Sequence, residues 1–134
     1  MAVAGRAYTS LRHAAKPGVM SKYMKRILSE GNHYLAIYDD IKEVRMGILV
    51  ADITIYDTSN DHQIMHFKEV ILEEFPWSSA TTISVRYRYI DGCWTLLHLD
   101  VDNLRYCESK SISMDAIKES EWKYYNQNPQ QTAP

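Results

Sequence analysis

Two histidines in the middle of the 134-residue chain have a spacing that could hold a metal ion. His62 and His66 are four residues apart, so on a helix they would share one face, and imidazole nitrogens at that spacing suit zinc or another transition metal. A complete site needs a third ligand, for which Asp61, Cys93 and His98 are the candidates. Because such pairs also occur on solvated helix faces, the sequence offers His62, His66 and His98 only as weak metal candidates and assigns no cofactor.

A second group of polar side chains lies in the stretch HLDVD. His98, Asp100 and Asp102 alternate, so on a strand they would project from one side. Such a row could bind a divalent cation or pair a carboxylate with a base. The competing interpretation is a strand that runs out into a polar turn at Asp102 and Asn103, where short polar side chains favour turn geometry. We expect the turn, and the sequence therefore assigns no catalytic residue.

The stretch from Ile83 to Asp100 interleaves arginines with tyrosines on one side of an Asp-Gly pair. Because Asp-Gly between apolar runs favours a two-residue turn, Asp91 and Gly92 predict a β-hairpin. The register through such a turn makes three cross-strand pairs: Tyr89 with Trp94, Tyr87 with Leu96, and Val85 with His98. In this register the tyrosines share one face of the hairpin and the arginines lie on the other.

This separation bears on nucleic-acid binding. A surface that stacks bases needs aromatic rings and cations on the same exposed side. The hairpin is predicted to divide them, which argues against base recognition. Arg86 and Arg88 are still predicted to contact phosphates or other anions, together with basic residues near the N-terminus.

The charge of the chain is unevenly distributed. Residues 1–29 carry six basic side chains and no acidic one, whereas the rest of the chain has nine basic and seventeen acidic side chains. A basic start before an acidic body favours one of three roles: an arm that contacts nucleic-acid phosphates or an anionic membrane surface, an intramolecular clamp, or a mitochondrial targeting segment. The predicted anion-contacting residues of this segment are Arg6, Arg12, Lys22, Lys25 and Arg26.

Three segments have the signals of helices. A proline near the start and a glycine after the end favour a helix over residues 17–30. A capping-box pattern at Asn60 and Gln63 begins a second helix, which ends before Pro76. A third helix is predicted to begin at Ser113. The apolar runs between these segments are short or alternate with polar residues, as strands do.

Helices alternating with antiparallel strand pairs predict an α+β fold, with helices packed on one face of a curved antiparallel sheet in the order α-β-β(-β)-α-β-β(-β)-α. We expect a flexible basic arm over residues 1–15, a single α+β domain over 16–126 and a disordered tail over 127–134. The element order resembles that of small secretion chaperones and other helix-on-sheet binding modules, and the strand-Gly-Trp hairpin resembles those of small viral matrix domains. The resemblance is one of layout and assigns no residue a role.

The composition excludes several classes of protein. With 46% hydrophobic and 24% charged residues the chain matches ordinary soluble domains, and no apolar run is long enough to span a membrane. The five glycines are scattered, and the motifs GxSxG, HExxH and CxxC are absent from the sequence, which argues against a nucleotide-cradling enzyme. Cys93 and Cys107 fit reduced thiols, so we expect an intracellular, cytoplasmic protein, or a mitochondrial one if residues 1–29 act as a targeting segment.

The aromatic content indicates an interface. The chain has ten tyrosines and three tryptophans, and on the last predicted helix Trp122, Tyr124 and Tyr125 cannot all face the core, so they are the predicted protein contacts. We therefore expect a non-catalytic interaction or assembly module, homo-oligomeric or bound to a protein partner, with a basic N-terminal segment that contacts anions. The alternative is a nucleic-acid-binding protein that uses this segment with Arg86 and Arg88. A metal-dependent enzyme is the third hypothesis.

Overall fold

The computed structural model describes residues 24–125, and these form two four-stranded antiparallel sheets. The first sheet has the order β1-β2-β3-β4 and the second the order β5-β6-β7-β8. The strands of the first sheet are β1 Lys25–Leu28, β2 Tyr34–Arg45, β3 Ile48–Asp57 and β4 Gln63–Ile71. Those of the second are β5 Thr82–Ile90, β6 Cys93–Asp100, β7 Arg105–Ser109 and β8 Lys123–Tyr124. The only helical segments in residues 24–125 are short 3₁₀ turns at Glu30–Asn32, Met114–Ala116 and Glu119–Glu121.

The predicted α+β fold is wrong, because the described part of the chain contains no α-helix. The described residues of the first predicted helix form β1 and a 3₁₀ turn, and the second predicted helix is strand β4. In place of the third helix the chain makes two 3₁₀ turns and β8. The resemblance to helix-on-sheet modules therefore loses its basis.

Strand β4 shows why the apolar pattern of the sequence predicted a helix in its place. Its pairing with β3 shifts register between Val70 and Phe67, where Glu69 adopts a positive φ of 58°. Such a bulge adds one residue to the strand. The apolar side chains are therefore spaced first by two residues, from Met65 to Phe67, and then by three residues, from Phe67 to Val70. Met65, Phe67 and Val70 all contact the core as a result. The mixed spacing of two and three imitates the 3.6-residue period of a helix.

The core lies between the two sheets. The first sheet supplies Ile53, Ile55 and Met65, all with no exposed surface. The second sheet meets them with side chains that are at most 1% exposed: Ile83, Val85, Leu97, Leu99 and Val101. A smaller buried pair lies in a separate cluster, formed by Leu35 and Ile37 with the partly buried Met24, Leu28 and Tyr56.

Aromatic side chains close the two long edges of the sandwich. At one edge the ring of Phe67 in the first sheet packs against Tyr106 and Tyr125, with ring centroids 5.3 Å and 5.5 Å away. At the other edge the indole N–H of Trp77 donates to the carbonyl oxygen of Ile27 at 3.0 Å. These contacts join the two sheets at edges where a simple sandwich would be open to water.

Within residues 24–125 the structure has no helix with the length and apolar character of a membrane span.

We predict that Ile53→Ala destabilises the protein by about 2 to 5 kcal/mol, because it leaves a cavity in a fully buried site. Ile112, which is 83% exposed, serves as the control, and Ile112→Ala is expected to change the free energy of unfolding by less than about 0.5 kcal/mol. Urea unfolding followed by tryptophan fluorescence measures both. Equal losses in the two variants would contradict the described core.

Candidate functional site

The best-defined candidate site is a cleft of about 500 Å³ at the end of the sandwich that carries the β2–β3 and β5–β6 hairpins. Its residues come from both sheets: Val44, Arg45, Ile48, Val50, Glu69, Ile71, Tyr87, Tyr89 and Trp94. Val50 and Ile71 are paired across β3 and β4 and are nearly buried, so they join the cleft to the core. The cleft therefore combines an aliphatic side, an aromatic side and two charged residues.

Two tight turns bring the hairpins to the same end of the molecule. Asp91 and Gly92 both have positive φ, 54° and 79°, which is the geometry of a type I′ turn, so the predicted hairpin is confirmed. In the β2–β3 turn Gly47 has a φ of 80°, and its N–H donates to a carboxylate oxygen of Glu43 at 2.9 Å. Met46 lies in this second turn and is 95% exposed.

The predicted register of the β5–β6 hairpin holds only next to its turn. Tyr89 pairs with Trp94 as expected, but the register shifts between Arg86 and Arg88. Beyond the shift the observed pairs are Arg86 with Leu96, Val85 with Leu97, and Ser84 with His98. The expected pairs of Tyr87 with Leu96 and Val85 with His98 are wrong because the bulge at Tyr87 adds one residue to β5.

The bulge also places cations against aromatic rings. The guanidinium carbon of Arg86 lies 5.4 Å from the ring centroid of Trp94, and that of Arg88 lies 4.8 Å from the ring of Tyr87. The predicted separation of arginines from aromatic residues is therefore wrong. A cation over a ring face is attracted by the ring quadrupole, so each arginine helps to hold the orientation of its ring.

Both arginines also have carboxylate partners. The Nε of Arg86 lies 2.8 Å from Glu73, which in addition accepts the backbone N–H of Arg86 at 3.1 Å. The Nε of Arg88 lies 3.4 Å from Glu108. The hydrogen bond that the Arg86 guanidinium donates to Glu73 raises the pKa of Arg86. Because their charges are compensated within the chain, these arginines are poorly suited to neutralise phosphates.

Arg45 is the exception among the arginines at this end. It lines the cleft, and within residues 24–125 no carboxylate lies at ion-pairing distance from its guanidinium. Glu69 on the same cleft pairs instead with Lys42, at 3.6 Å. No motif in the sequence singles out Arg45. Its only local signal is its position next to an exposed Met-Gly turn.

The other predicted anion contacts are scattered. Arg6, Arg12 and Lys22 lie outside the described residues. Lys25 and Arg26 belong to β1 of the first sheet, and the Nε of Arg26 is buried with no hydrogen-bond partner among the described residues. Arg86 and Arg88 belong to β5 of the second sheet, and the anion-contacting role of all these residues stays a prediction.

The predicted protein contacts near the C-terminus have different surroundings. Trp122 is partly buried and lies under Arg105, whose guanidinium carbon is 4.6 Å from the ring centroid. The Tyr125 hydroxyl accepts the backbone N–H of His66 at 3.1 Å, at the edge that Tyr125 closes. Tyr124 is 74% exposed, and its role as a protein contact stays a prediction.

The weak metal candidates are not brought together. His62 and His66 were expected one helical turn apart, but His66 lies in β4 and His62 directly precedes it. Four residues of extended chain span about 13 Å, too far for one ion to bridge. The Nδ1 of His66 contacts the hydroxyl of Thr54 at 2.8 Å. Among residues 24–125 no group of three or more His, Cys, Asp or Glu side chains could hold a metal ion.

The three polar side chains of the stretch HLDVD, His98, Asp100 and Asp102, have different surroundings. Strand β6 ends at Asp100 and a turn follows, which confirms the interpretation of a strand that enters a polar turn. Asp100 pairs with Arg105 at 2.8 Å. Asp102 accepts a hydrogen bond from the Tyr34 hydroxyl in a polar pocket at the opposite end of the sandwich. Burial and this bond raise the pKa of Tyr34 to about 12.

His98 has the contacts of a catalytic base but not the access. Its Nδ1 lies 2.8 Å from the Ser84 hydroxyl and its Nε2 lies 2.9 Å from the carbonyl oxygen of Ser111. A proton on Nε2 satisfies both contacts, since the carbonyl only accepts and the hydroxyl can donate to Nδ1. Because His98 has no exposed surface, no substrate reaches it in this structure, and its two contacts join β6 to Ser84 of β5 and to Ser111.

Comparison with other proteins does not add to this geometry. The chain matches no protein-family model, and no curated protein or solved structure is significantly similar to it. The hypotheses below therefore depend on the contacts and charges of this chain.

We predict that His98 makes stability depend on pH. Burial lowers the pKa of His98 from its usual 6.5, so the unfolded chain binds this proton more readily than the folded chain. The contribution of neutral, buried His98 to the free energy of unfolding is complete above about pH 6.5. It is lost as the pH falls, by at most about 1.4 kcal/mol per pH unit. His98→Gln should be less stable at neutral pH and show a smaller loss on acidification.

Urea unfolding at a series of pH values between about 5 and about 7.5 measures this dependence. The difference between the wild type and His98→Gln is the relevant quantity, because Asp39, whose pKa is raised by burial, contributes equally to both. Identical pH dependence in the two proteins would show that His98 is not the group responsible.

Proposed function

We propose that the protein is a non-catalytic assembly module that binds a second copy of itself through the tips of its two hairpins. The observation that carries the proposal is a surface, here called the tip surface, formed by Val44, Met46, Tyr89 and Ile90. These side chains are 54%, 95%, 58% and 44% exposed. Val44 and Tyr89 line one cleft, and Met46 and Ile90 lie within two residues of them on the same hairpins, so the four side chains belong to one end of the molecule.

Exposed apolar side chains in one place favour association. Each square ångström of apolar surface removed from water contributes about 25 cal/mol, and a monomer gains nothing from leaving such a surface in water. Scattered apolar residues need no explanation, but Val44 and Met46 lie on one hairpin and Tyr89 and Ile90 on the other. Two hairpins that present apolar tips together are suited to contact a partner.

The surrounding charges favour a partner of the same kind. Near the tip surface the charges of three basic side chains are each compensated by a carboxylate, in the ion pairs Lys42–Glu69, Arg86–Glu73 and Arg88–Glu108. These paired charges neither attract a polyanion nor repel a second copy, which leaves Arg45 as the cation beside the tip surface that has no described carboxylate partner. A two-fold contact, in which the same patch is used twice, then needs no additional complementary surface.

The same ion pairs favour self-association over nucleic-acid binding by Arg86 and Arg88. Anion contact through the basic side chains of residues 1–29 stays part of the proposal, and in an assembly these segments would act together. We place the protein in a reducing compartment such as the cytoplasm, in keeping with the free thiols of Cys93 and Cys107.

We predict that the wild-type protein forms dimers in a concentration-dependent way, and that the double variant Met46→Gln with Ile90→Gln weakens the dimer at least about tenfold. Both substitutions replace apolar surface with an uncharged amide, so they remove burial energy without adding repulsion. Sedimentation velocity over a concentration series measures the dissociation constant.

The matched control is Ile112→Gln, which changes an 83% exposed isoleucine outside both hairpins and should leave the dimer intact. All proteins carry Cys93→Ser, since Cys93 is exposed beside the β5–β6 turn and could otherwise crosslink copies. A protein that stays monomeric at every concentration, or a dimer that both tip substitutions leave unchanged, would end the proposal.

A further inference from the structure

We infer that the cleft between the hairpins is a binding site for an aromatic anion, a flat ring system that carries one sulfonate, carboxylate or phosphate group. This inference goes beyond the proposed function. It concerns the cleft, whose lining shares Val44 and Tyr89 with the tip surface, whereas Met46 and Ile90 of the tip surface do not line the cleft.

The dimensions and lining of the cleft fit a ring system. Its volume of about 500 Å³ lies within the range of small-molecule sites, which are mostly apolar and carry a few polar groups that fix orientation. One side offers the rings of Tyr87, Tyr89 and Trp94, and the other offers Val44 and Ile48. A flat ligand between these sides would contact aromatic and aliphatic surface at once.

The aromatic side is held in position before any ligand arrives. Tyr89 and Trp94 pack edge to face with centroids 5.1 Å apart. Arg86 lies over Trp94, and Glu73 holds Arg86 in turn. Side chains that are already ordered lose little conformational entropy on binding, so the contact energy is not spent on ordering them.

The charge of the cleft selects an anion. Of the charged residues that line it, Glu69 is paired with Lys42, whereas Arg45 has no carboxylate partner within residues 24–125. An unpaired guanidinium beside apolar surface can donate two parallel hydrogen bonds to an oxyanion. A cationic ligand would meet Arg45 with the same sign of charge. The ligand class is therefore an apolar ring with a negative group at the position of Arg45.

The test compares two dyes that share a ring system. One is 8-anilinonaphthalene-1-sulfonate, which carries the anion, and the other is N-phenyl-1-naphthylamine, which lacks it. We expect both to bind the wild-type protein at one site per chain and to quench tryptophan fluorescence. The sulfonate should bind about tenfold more tightly, since only it can accept charge-assisted hydrogen bonds from Arg45.

Arg45→Gln isolates the charge. This substitution is on an exposed side chain, so the protein should fold, and it should bring the sulfonate to the affinity of the uncharged dye without changing the latter. The matched control is Lys123→Gln, which removes an exposed cation from β8 outside the cleft and should change neither affinity. If Arg45→Gln leaves the ratio of the two affinities at its wild-type value, the inference is wrong.

A second substitution locates the site. Trp94→Leu should weaken both dyes, and if that variant does not fold, Tyr89→Leu takes its place because its ring is more than half exposed. Unchanged binding of both dyes after loss of an aromatic side chain would also overturn the inference. The double variant Met46→Gln with Ile90→Gln should still bind the sulfonate, so failure of the ligand site and failure of self-association give different results.

Discussion

The backbone N–H of Glu69 donates to the carboxylate of Asp52 at 3.2 Å, and much of the structure depends on the bulge that this bond holds. Without the bulge β4 would alternate regularly, and Phe67 and Val70 would face opposite sides of the sheet. With it, both side chains contact the core between the two sheets. A local irregularity of one strand therefore sets which side chains the first sheet offers to the second.

Two distant features follow from this one irregularity. On one side of the bulge Phe67 packs against Tyr106 and Tyr125, which closes an edge of the sandwich. On the other side Ile71 pairs with Val50, and these two residues form the apolar base of the cleft. The edge contact and the cleft are thus coupled through the register of β3 with β4, and a shift of that register by one residue would move both.

Features of the fold that depend on a few adjacent residues could be predicted from the sequence. Asp91-Gly92 specifies its turn because both residues must adopt positive φ, and few other pairs do so readily. The polar turn after Asp100 follows from equally local preferences. The second helix was predicted wrongly because the extra residue near Glu69 interrupts the two-residue alternation of β4, so that Phe67 and Val70, three residues apart, contact the same core. Only the partner strand β3 distinguishes the two interpretations.

The candidate site was harder to predict for the same reason. Arg86 and Arg88 attract attention in the sequence, but Glu73 and Glu108 compensate their charges in the fold. Arg45 attracts none, yet no described carboxylate pairs with it, because Glu69 on the same cleft pairs with Lys42 and Glu43 accepts the backbone N–H of Gly47. The value of a charged residue for binding is set by what remains unpaired after folding, and pairing is a property of the tertiary structure. The sequence therefore shows which residues are cationic. Which of these cations stays unpaired and can bind a ligand depends on how the two hairpins pack together.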